Sequence, residues 1–180
     1  MKTIQSSGVW ASCMVFFSFV FLSTVFAQST PHLSDAEIAS VAVTANKIDV
    51  EYAAIANKKS KNAAVLKFAK AMHDDHTSVI DKAVKLVTKL KVTPKDNAVS
   101  KSLITNADKE KKALNSKSGK AFDKAYIDNE VSYHKSVIHS VETLLIPQAK
   151  NKELKALLES VMPVLKTHLS HAEMLQKELK

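Results

Sequence analysis

The stretch of residues 152–179 reads KELKALLESVMPVLKTHLSHAEMLQKEL and has the clearest helical pattern in the chain. Its apolar residues recur at alternating steps of four and three, and a histidine fills one position of the series: Leu154, Leu158, Val161, Leu165, His168, Ala172, Leu175 and Leu179. This spacing keeps the side chains on one face of an α-helix, which turns once in about 3.6 residues. The stretch therefore predicts a packed helix whose buried face includes an imidazole.

Two other segments carry a histidine inside an apolar helical face in the same way. One is the series Met72, His76, Val79, Ala83, Leu86, Leu90, and the other is Ile127, Val131, His134, Ile138, Val141, Leu145. Each series follows the spacing of one face of a helix. We therefore predict three helices that direct His76, His134 and His168 toward one core.

The rest of the chain also predicts helices. Gly119 is the only glycine after residue 27, a composition that disfavours turn-rich β folds. Ser34 and Glu37 have the spacing of a capping box and mark the start of the first helix. Further helices are predicted over about 63–90, 98–114, 120–146 and 152–179.

Two long hairpins joined by a long crossover are the expected topology. Such a crossover distinguishes ferritin-like bundles from simple up-and-down bundles. We predict an all-α, ferritin-like four-helix bundle with two helical hairpins and an extra short crossover helix, formed by residues 28–180.

The first 27 residues have the composition of a secretory signal peptide. Lys2 precedes an apolar run from Val9 to Phe26, and the ending Val25-Phe26-Ala27 predicts cleavage before Gln28. The alternative is a retained membrane anchor, but the unbroken apolar part is short for a span of about 20 residues. We expect an exported protein, periplasmic or associated with the outer membrane.

The basic residues are all lysines, and the formal net charge is +8. Bidentate recognition of phosphates and bases usually depends on arginine, so we do not expect a nucleic-acid partner. Lysines spread over all the helices are typical of solvated surfaces. Weak association with an anionic envelope surface is the alternative that this charge leaves open, and no protein partner or oligomeric state is predicted.

Several short motifs, in order and spacing, resemble one family. They are Asp49-Val-Glu51, Phe68 and Met72 before Asp74-Asp75-His76, Ser118-Gly119 before Phe122-Asp123 and Tyr126, the segment from Val131 to His134, and Pro163 before His168-Leu169. In these the chain resembles the exported ferritin-like proteins called domain of unknown function 4142, over about residues 33–175. The resemblance implies the fold and export, and it implies no defined activity.

The histidines raise the question of a metal. Ferritin-like di-iron sites require two Glu-x-x-His pairs, and neither pair is present, because His73 and Leu165 stand three residues before His76 and His168. Histidine and carboxylate together suit zinc, iron, manganese or copper. We predict that His76, His134, His168, Glu51 and Glu130 are candidate ligands of one divalent metal, with zinc, iron or manganese as the expected cofactor.

The height of each candidate ligand in the bundle follows from the number of residues between it and its hairpin turn, at a rise of about 1.5 Å per residue. With the two hairpin turns at opposite ends of the bundle, this count places the candidate ligands at two different heights. His76 and His134 share one height, and Glu51, Glu130 and His168 lie about 6 to 10 Å higher. A His76–His134 pair, or a cluster of the other three, is then easier to form than one closed site.

Two other functions stay open beside metal binding. In the first, the histidines are structural members of a buried hydrogen-bonded network in an envelope-associated structural, interaction or stress protein. In the second, the chain is a metal-dependent oxidase, which the absence of the di-iron carboxylates disfavours. No catalytic triad or phosphate loop is visible, so catalytic residues are not predicted.

Overall fold

The computed structural model describes residues 31–179, and every regular element in this range is helical. The prediction of an all-α bundle is confirmed. The predicted signal peptide, residues 1–27, lies outside the described residues. The helices are α1 Asp35–Lys59, α2 Ala63–Lys89, α3 Ala98–Asn115, α4 Gly119–Ser140, a π-helical turn Val141–Leu145, α5 Ile146–Gln148 and α6 Lys152–Glu178.

Polar caps explain where the helices begin. At Ser34 the predicted capping box is present: the Ser34 backbone N–H donates to Glu37 Oε2 at 3.0 Å, and the Ser34 hydroxyl accepts from the Glu37 N–H. Asn62, Asn97 and Asn151 cap α2, α3 and α6 through their side-chain oxygens. These caps satisfy backbone N–H groups that have no partner inside the helix.

The predicted fourth helix differs from the observed one near its end. Residues 120–146 were expected to form one α-helix that Pro147 ends, but the chain widens into a π-helical turn at Val141–Leu145 and closes with α5. The Ile146 N–H donates to the Val141 carbonyl, five residues earlier. The ring of Pro147 has no N–H and would meet the carbonyl four residues before it in an α-helix, so the wider turn relieves this conflict.

The helices form two antiparallel hairpins, α1 with α2 and α4 with α6, and α3 crosses between them against α1. The hairpin turns lie at opposite ends. At one end the Ser60 hydroxyl donates to Asp123 Oδ1 at 2.6 Å, which joins the α1–α2 turn to the start of α4. At the other end Asp35 accepts from the backbone N–H groups of Lys150 and Asn151. The two-hairpin topology is thus as expected, while the ferritin-like assignment itself stays a prediction.

The core consists of two apolar clusters separated by a polar layer. One cluster lies toward the α1–α2 turn and includes Phe68, Met72 and Tyr126. The other lies toward the start of α6 and includes Ile38 and Leu158. Between them five polar side chains are 0–5% exposed: Asp49, His76, Glu130, His134 and His168. Among residues 31–179, no helix has the length and apolarity that a membrane crossing requires.

Candidate metal centre

All four long helices of the bundle contribute a buried polar side chain to this layer. Asp49 comes from α1, His76 from α2, His134 from α4 and His168 from α6. The ring centroids of His76 and His134 are 5.7 Å apart, those of His76 and His168 5.2 Å, and those of His134 and His168 5.5 Å. The three imidazoles therefore form one compact cluster at mid-height.

Each imidazole has one ring nitrogen directed outward, to a hydrogen-bond acceptor. His76 Nδ1 donates to Asn46 Oδ1 at 2.8 Å, His134 Nδ1 donates to the Glu130 carbonyl at 3.0 Å, and His168 Nε2 donates to Asp75 Oδ2 at 2.9 Å. A hydrogen bond of this kind fixes the tautomer, because the nitrogen that donates must carry the proton. The opposite nitrogen of each neutral ring then carries a free lone pair.

Those opposite nitrogens are His76 Nε2, His134 Nε2 and His168 Nδ1, and none of them has a hydrogen-bond partner although all are buried. One ring nitrogen from each of the three histidines lies within 4.8 Å of the others. Three neutral imidazoles that cluster in this way have the donor chemistry of a metal site.

Asp49 supplies a carboxylate to the same place. Its Oδ2 lies 3.3 Å from His76 Nε2 and 3.7 Å from His134 Nε2. Neither Asp49 oxygen has a hydrogen-bond partner. Asp49 thus lies beside two of the three imidazoles, and its carboxylate is a candidate fourth ligand for an ion bound there.

Glu130 lies one helical turn before His134 and is fully buried. Its Oε2 is 3.4 Å from His134 Nδ1, so it stands on the outward side of that ring. Asp49, Glu130 and His134 also form a group whose ligand atoms lie within 4.8 Å of one another. Glu130 is thus adjacent to the three-histidine set, and its group shares one residue, His134, with that set.

Burial decides the protonation of these groups. Loss of solvation lowers the pKa of His76 to about 3 and that of His134 to about 4, and neighbouring histidines add to the effect. Burial also lowers the pKa of His168, although its hydrogen bond to Asp75 opposes the shift. The three rings are therefore neutral near pH 7, the form that binds metal.

The two buried carboxyl groups shift in the opposite direction. Burial raises the pKa of Asp49 well above its ordinary value, and for Glu130 the nearby Asp49 adds to the rise that burial causes. In both cases the low-dielectric surroundings penalise the anion. A bound cation would reverse this preference for Asp49, because it would offset the buried negative charge.

Four of the five predicted residues lie together, namely His76, His134, His168 and Glu130. Glu51 does not: it is exposed, and its carboxylate accepts from Lys111 Nζ at 2.6 Å. Asp49 was missed, although it stands four residues after Ala45 and three before Tyr52, both on the buried face of α1. Glu51 follows Asp49 by two residues, which places it about 200° further around the helix.

The expected separation into two heights is wrong, because His168 contacts the other two histidines. Side chains in a helix lean toward its N-terminus. Since α4 and α6 are antiparallel, His134 and His168 lean toward each other, and this closes a difference of about 6 Å in the positions of their backbones.

A four-helix bundle with three histidines and a carboxylate at its centre is thus the class that the geometry defines. A family model described as domain of unknown function (DUF4142) matches residues 22–175. The chain belongs to this family, as its motifs suggested. No curated protein and no solved structure matches the chain significantly.

Proposed function

We propose that this protein binds one divalent metal ion, zinc, iron or manganese, through His76, His134, His168 and Asp49. One observation carries the proposal: each of the three histidines, whose ring centroids lie 5.2–5.7 Å apart, donates one ring N–H to an outer acceptor and has its other nitrogen buried without a hydrogen-bond partner. Histidine ligands of metals are held in this way, since the outer hydrogen bond orients the ring and selects its tautomer.

The structural alternative, a buried polar network, explains the layer less well. A network that serves stability pairs its buried atoms, and each unpaired one costs about 1–3 kcal/mol. Here the inward atoms of all four residues have no hydrogen-bond partner: both oxygens of Asp49 and one nitrogen each of His76, His134 and His168. A cation would offset this cost for all of them at once.

Asp49 is assigned as the fourth ligand, and Glu130 as an outer residue. Asp49 Oδ2 lies against the inward nitrogens of two histidines, whereas Glu130 Oε2 lies against the outward Nδ1 of His134. With neutral imidazoles and an ionised Asp49, a divalent ion leaves the site with a net charge of +1. We propose binding alone and no catalysed reaction.

The test is metal content and affinity in matched variants. Protein purified without chelators is expected to contain about one zinc, iron or manganese ion per chain by elemental analysis. Asp49→Asn removes the anionic ligand and should weaken binding of zinc at least tenfold by calorimetry, since even residues behind the ligands change metal affinity about 10–100-fold.

Glu51→Gln is the matched control, because it changes a carboxylate two residues away on the same helix that is exposed and paired with Lys111. It should bind zinc as the wild type does. Equal affinity in all three proteins, or no binding of any of the three metals by the wild type, would leave the structural network as the better explanation.

We also propose that the chain is exported to the cell envelope, which the apolar run from Val9 to Phe26 and the Val25-Phe26-Ala27 ending support. The exported form should have the intact mass of a chain that begins at Gln28, and it should be extracted without detergent. A mass that includes residues 1–27, in protein that only detergent releases, would favour the retained anchor.

The positive net charge supports a further proposal, that the exported protein makes weak, salt-sensitive contact with anionic surfaces of the cell envelope.

A further inference from the structure

Beside the histidine cluster lies a cavity of about 330 Å³, and Asp49, His76, His134 and His168 all line it. These four residues form one polar region of its wall. The cavity therefore gives a small molecule direct access to the proposed metal ion.

Much of the remaining wall is apolar. The C-terminal half of α2 contributes Ala83 and Leu86, and the N-terminal half of α6 contributes Leu158 and Leu165. Val164, which also lines the cavity, is 40% exposed, so the cavity reaches the surface of the protein.

The π-helical turn contributes two residues to the wall, Val141 and Leu145, and both are buried. Single π-helical turns inside longer helices are frequent at functional sites. This turn directs apolar side chains into the same space as the four polar residues. The cavity thus combines an apolar chamber with one polar wall, the usual character of a small-molecule site.

We propose that the cavity binds an unbranched aliphatic carboxylate of about ten carbons, whose carboxylate group coordinates the metal ion; this inference rests on the proposed function. An engineered apolar cavity of about 150 Å³ holds benzene, which has six heavy atoms. A cavity of 330 Å³ is about twice as large. It should therefore hold a ligand of about 12 heavy atoms, the size of decanoate.

Charge favours a carboxylate as the head group. A divalent ion with one ionised aspartate and three neutral imidazoles carries +1, and a buried net charge is costly unless an opposite charge accompanies it. No lysine is among the described residues that line the cavity, while Asp75 and Glu110 line it with negative charge. The metal ion would then be the one cation available to an anionic ligand inside the cavity. The carboxylate head group would therefore lie at the polar wall, against the metal ion, and the aliphatic chain would lie in the apolar part of the cavity.

The probe is decanoate. Titration calorimetry measures its affinity for the protein of residues 28–180 with one zinc ion bound and for the same protein without metal. We expect binding to the zinc form at least tenfold tighter than to the metal-free form. Decanol, with the same chain and no charge, should bind the zinc form at least tenfold more weakly than decanoate.

A variant at the apolar wall tests the chamber separately from the metal. Ala83 is buried and lies seven residues from His76, about 10 Å along α2. Ala83→Leu should fill part of the cavity, reduce the affinity for decanoate at least tenfold and leave zinc affinity unchanged. Val84→Leu, at the adjacent position that is 49% exposed, is the matched control and should change neither affinity.

The outcomes separate this inference from the proposed function. Zinc binding without any decanoate binding would overturn the ligand proposal and leave the metal site standing. Equal binding of decanoate to both forms, or equal binding of decanol, would overturn the assignment of the carboxylate to the metal. Failure to bind zinc would overturn both proposals, and the zinc titration alone reports that result.

Discussion

At the scale of single residues, Asp49 is the group whose placement most needs an explanation. It is fully buried, its oxygens have no hydrogen-bond partner, and burial raises its pKa well above the ordinary range. An aspartate with no other role would be destabilising at this position. Its Oδ2 lies 3.3 Å from His76 Nε2 and 3.7 Å from His134 Nε2, two nitrogens that are also unpartnered, and this contact supports the proposal that Asp49 is a metal ligand.

His76 gives a prediction for pH. Its pKa is about 3 in the folded protein and about 6.5 when exposed, so the unfolded chain takes up a proton first as the pH falls below 6.5. The wild type loses stability in that range, and His76→Gln lacks this contribution. With metal removed by chelator, the loss of unfolding free energy that His76→Gln causes at pH 7 should shrink by about 2 kcal/mol at pH 4.5.

Urea unfolding at the two pH values measures this difference. The exposed His73, on the same helix, provides the control: His73→Gln should follow the wild type at both values. The same pH dependence in His76→Gln as in the wild type would contradict the assignment of a buried neutral imidazole.

At the scale of the elements, local patterns predicted where most helices begin and end, because capping residues and prolines act over a few positions. Three predicted helices match observed ones to within one residue at either end: 63–90 matches α2, 98–114 matches α3, and 152–179 matches α6. The π-helical turn at Val141–Leu145 could not be read from periodicity. It depends on how the chain accommodates Pro147 while Val141 and Leu145 stay in the core.

Gly119 begins α4 with φ of +55°, a conformation that other residues adopt at a cost of about 1–2 kcal/mol. A Cβ atom there would meet nothing within 4 Å, so only backbone strain opposes a side chain. Gly119→Ala should therefore lower the free energy of unfolding by about 1–2 kcal/mol in urea, with zinc affinity unchanged. Lys120→Ala, at the next position, should change stability by less than about 0.5 kcal/mol, and an equal loss in both variants would contradict the backbone argument.

At the scale of the whole molecule, the sequence predicted the bundle and four of the five residues of its buried polar layer, all except Asp49, but not that His168 contacts the other two histidines. The three histidines were visible because each interrupts an apolar face at helical spacing. The position of Asp49, four residues after Ala45 and three before Tyr52, already places it on the buried face of α1. The joining of His168 to the other rings depends instead on helix rotation, offset and the lean of antiparallel side chains. These are properties of packing between helices, and one helix's periodicity does not contain them.

Metal binding at the centre of all four long helices should stabilise the whole domain. A ligand that binds only the folded state adds about 2.7 kcal/mol at a concentration 100 times its Kd. For a domain of about 150 residues each kcal/mol raises Tm by about 2–4 °C, so saturating zinc should raise Tm by about 5–10 °C. His134→Gln keeps polarity but lacks the ligand nitrogen, and it should lose most of this rise in a thermal scan.

The half-buried His171, whose ring lies 5.3 Å from that of Phe68, serves as the control, and His171→Gln should keep the rise. If His134→Gln keeps the full zinc-dependent rise, the stabilising ion does not bind at the cluster of His76, His134 and His168, and a loss of the rise in His171→Gln would place the ion near His171 instead.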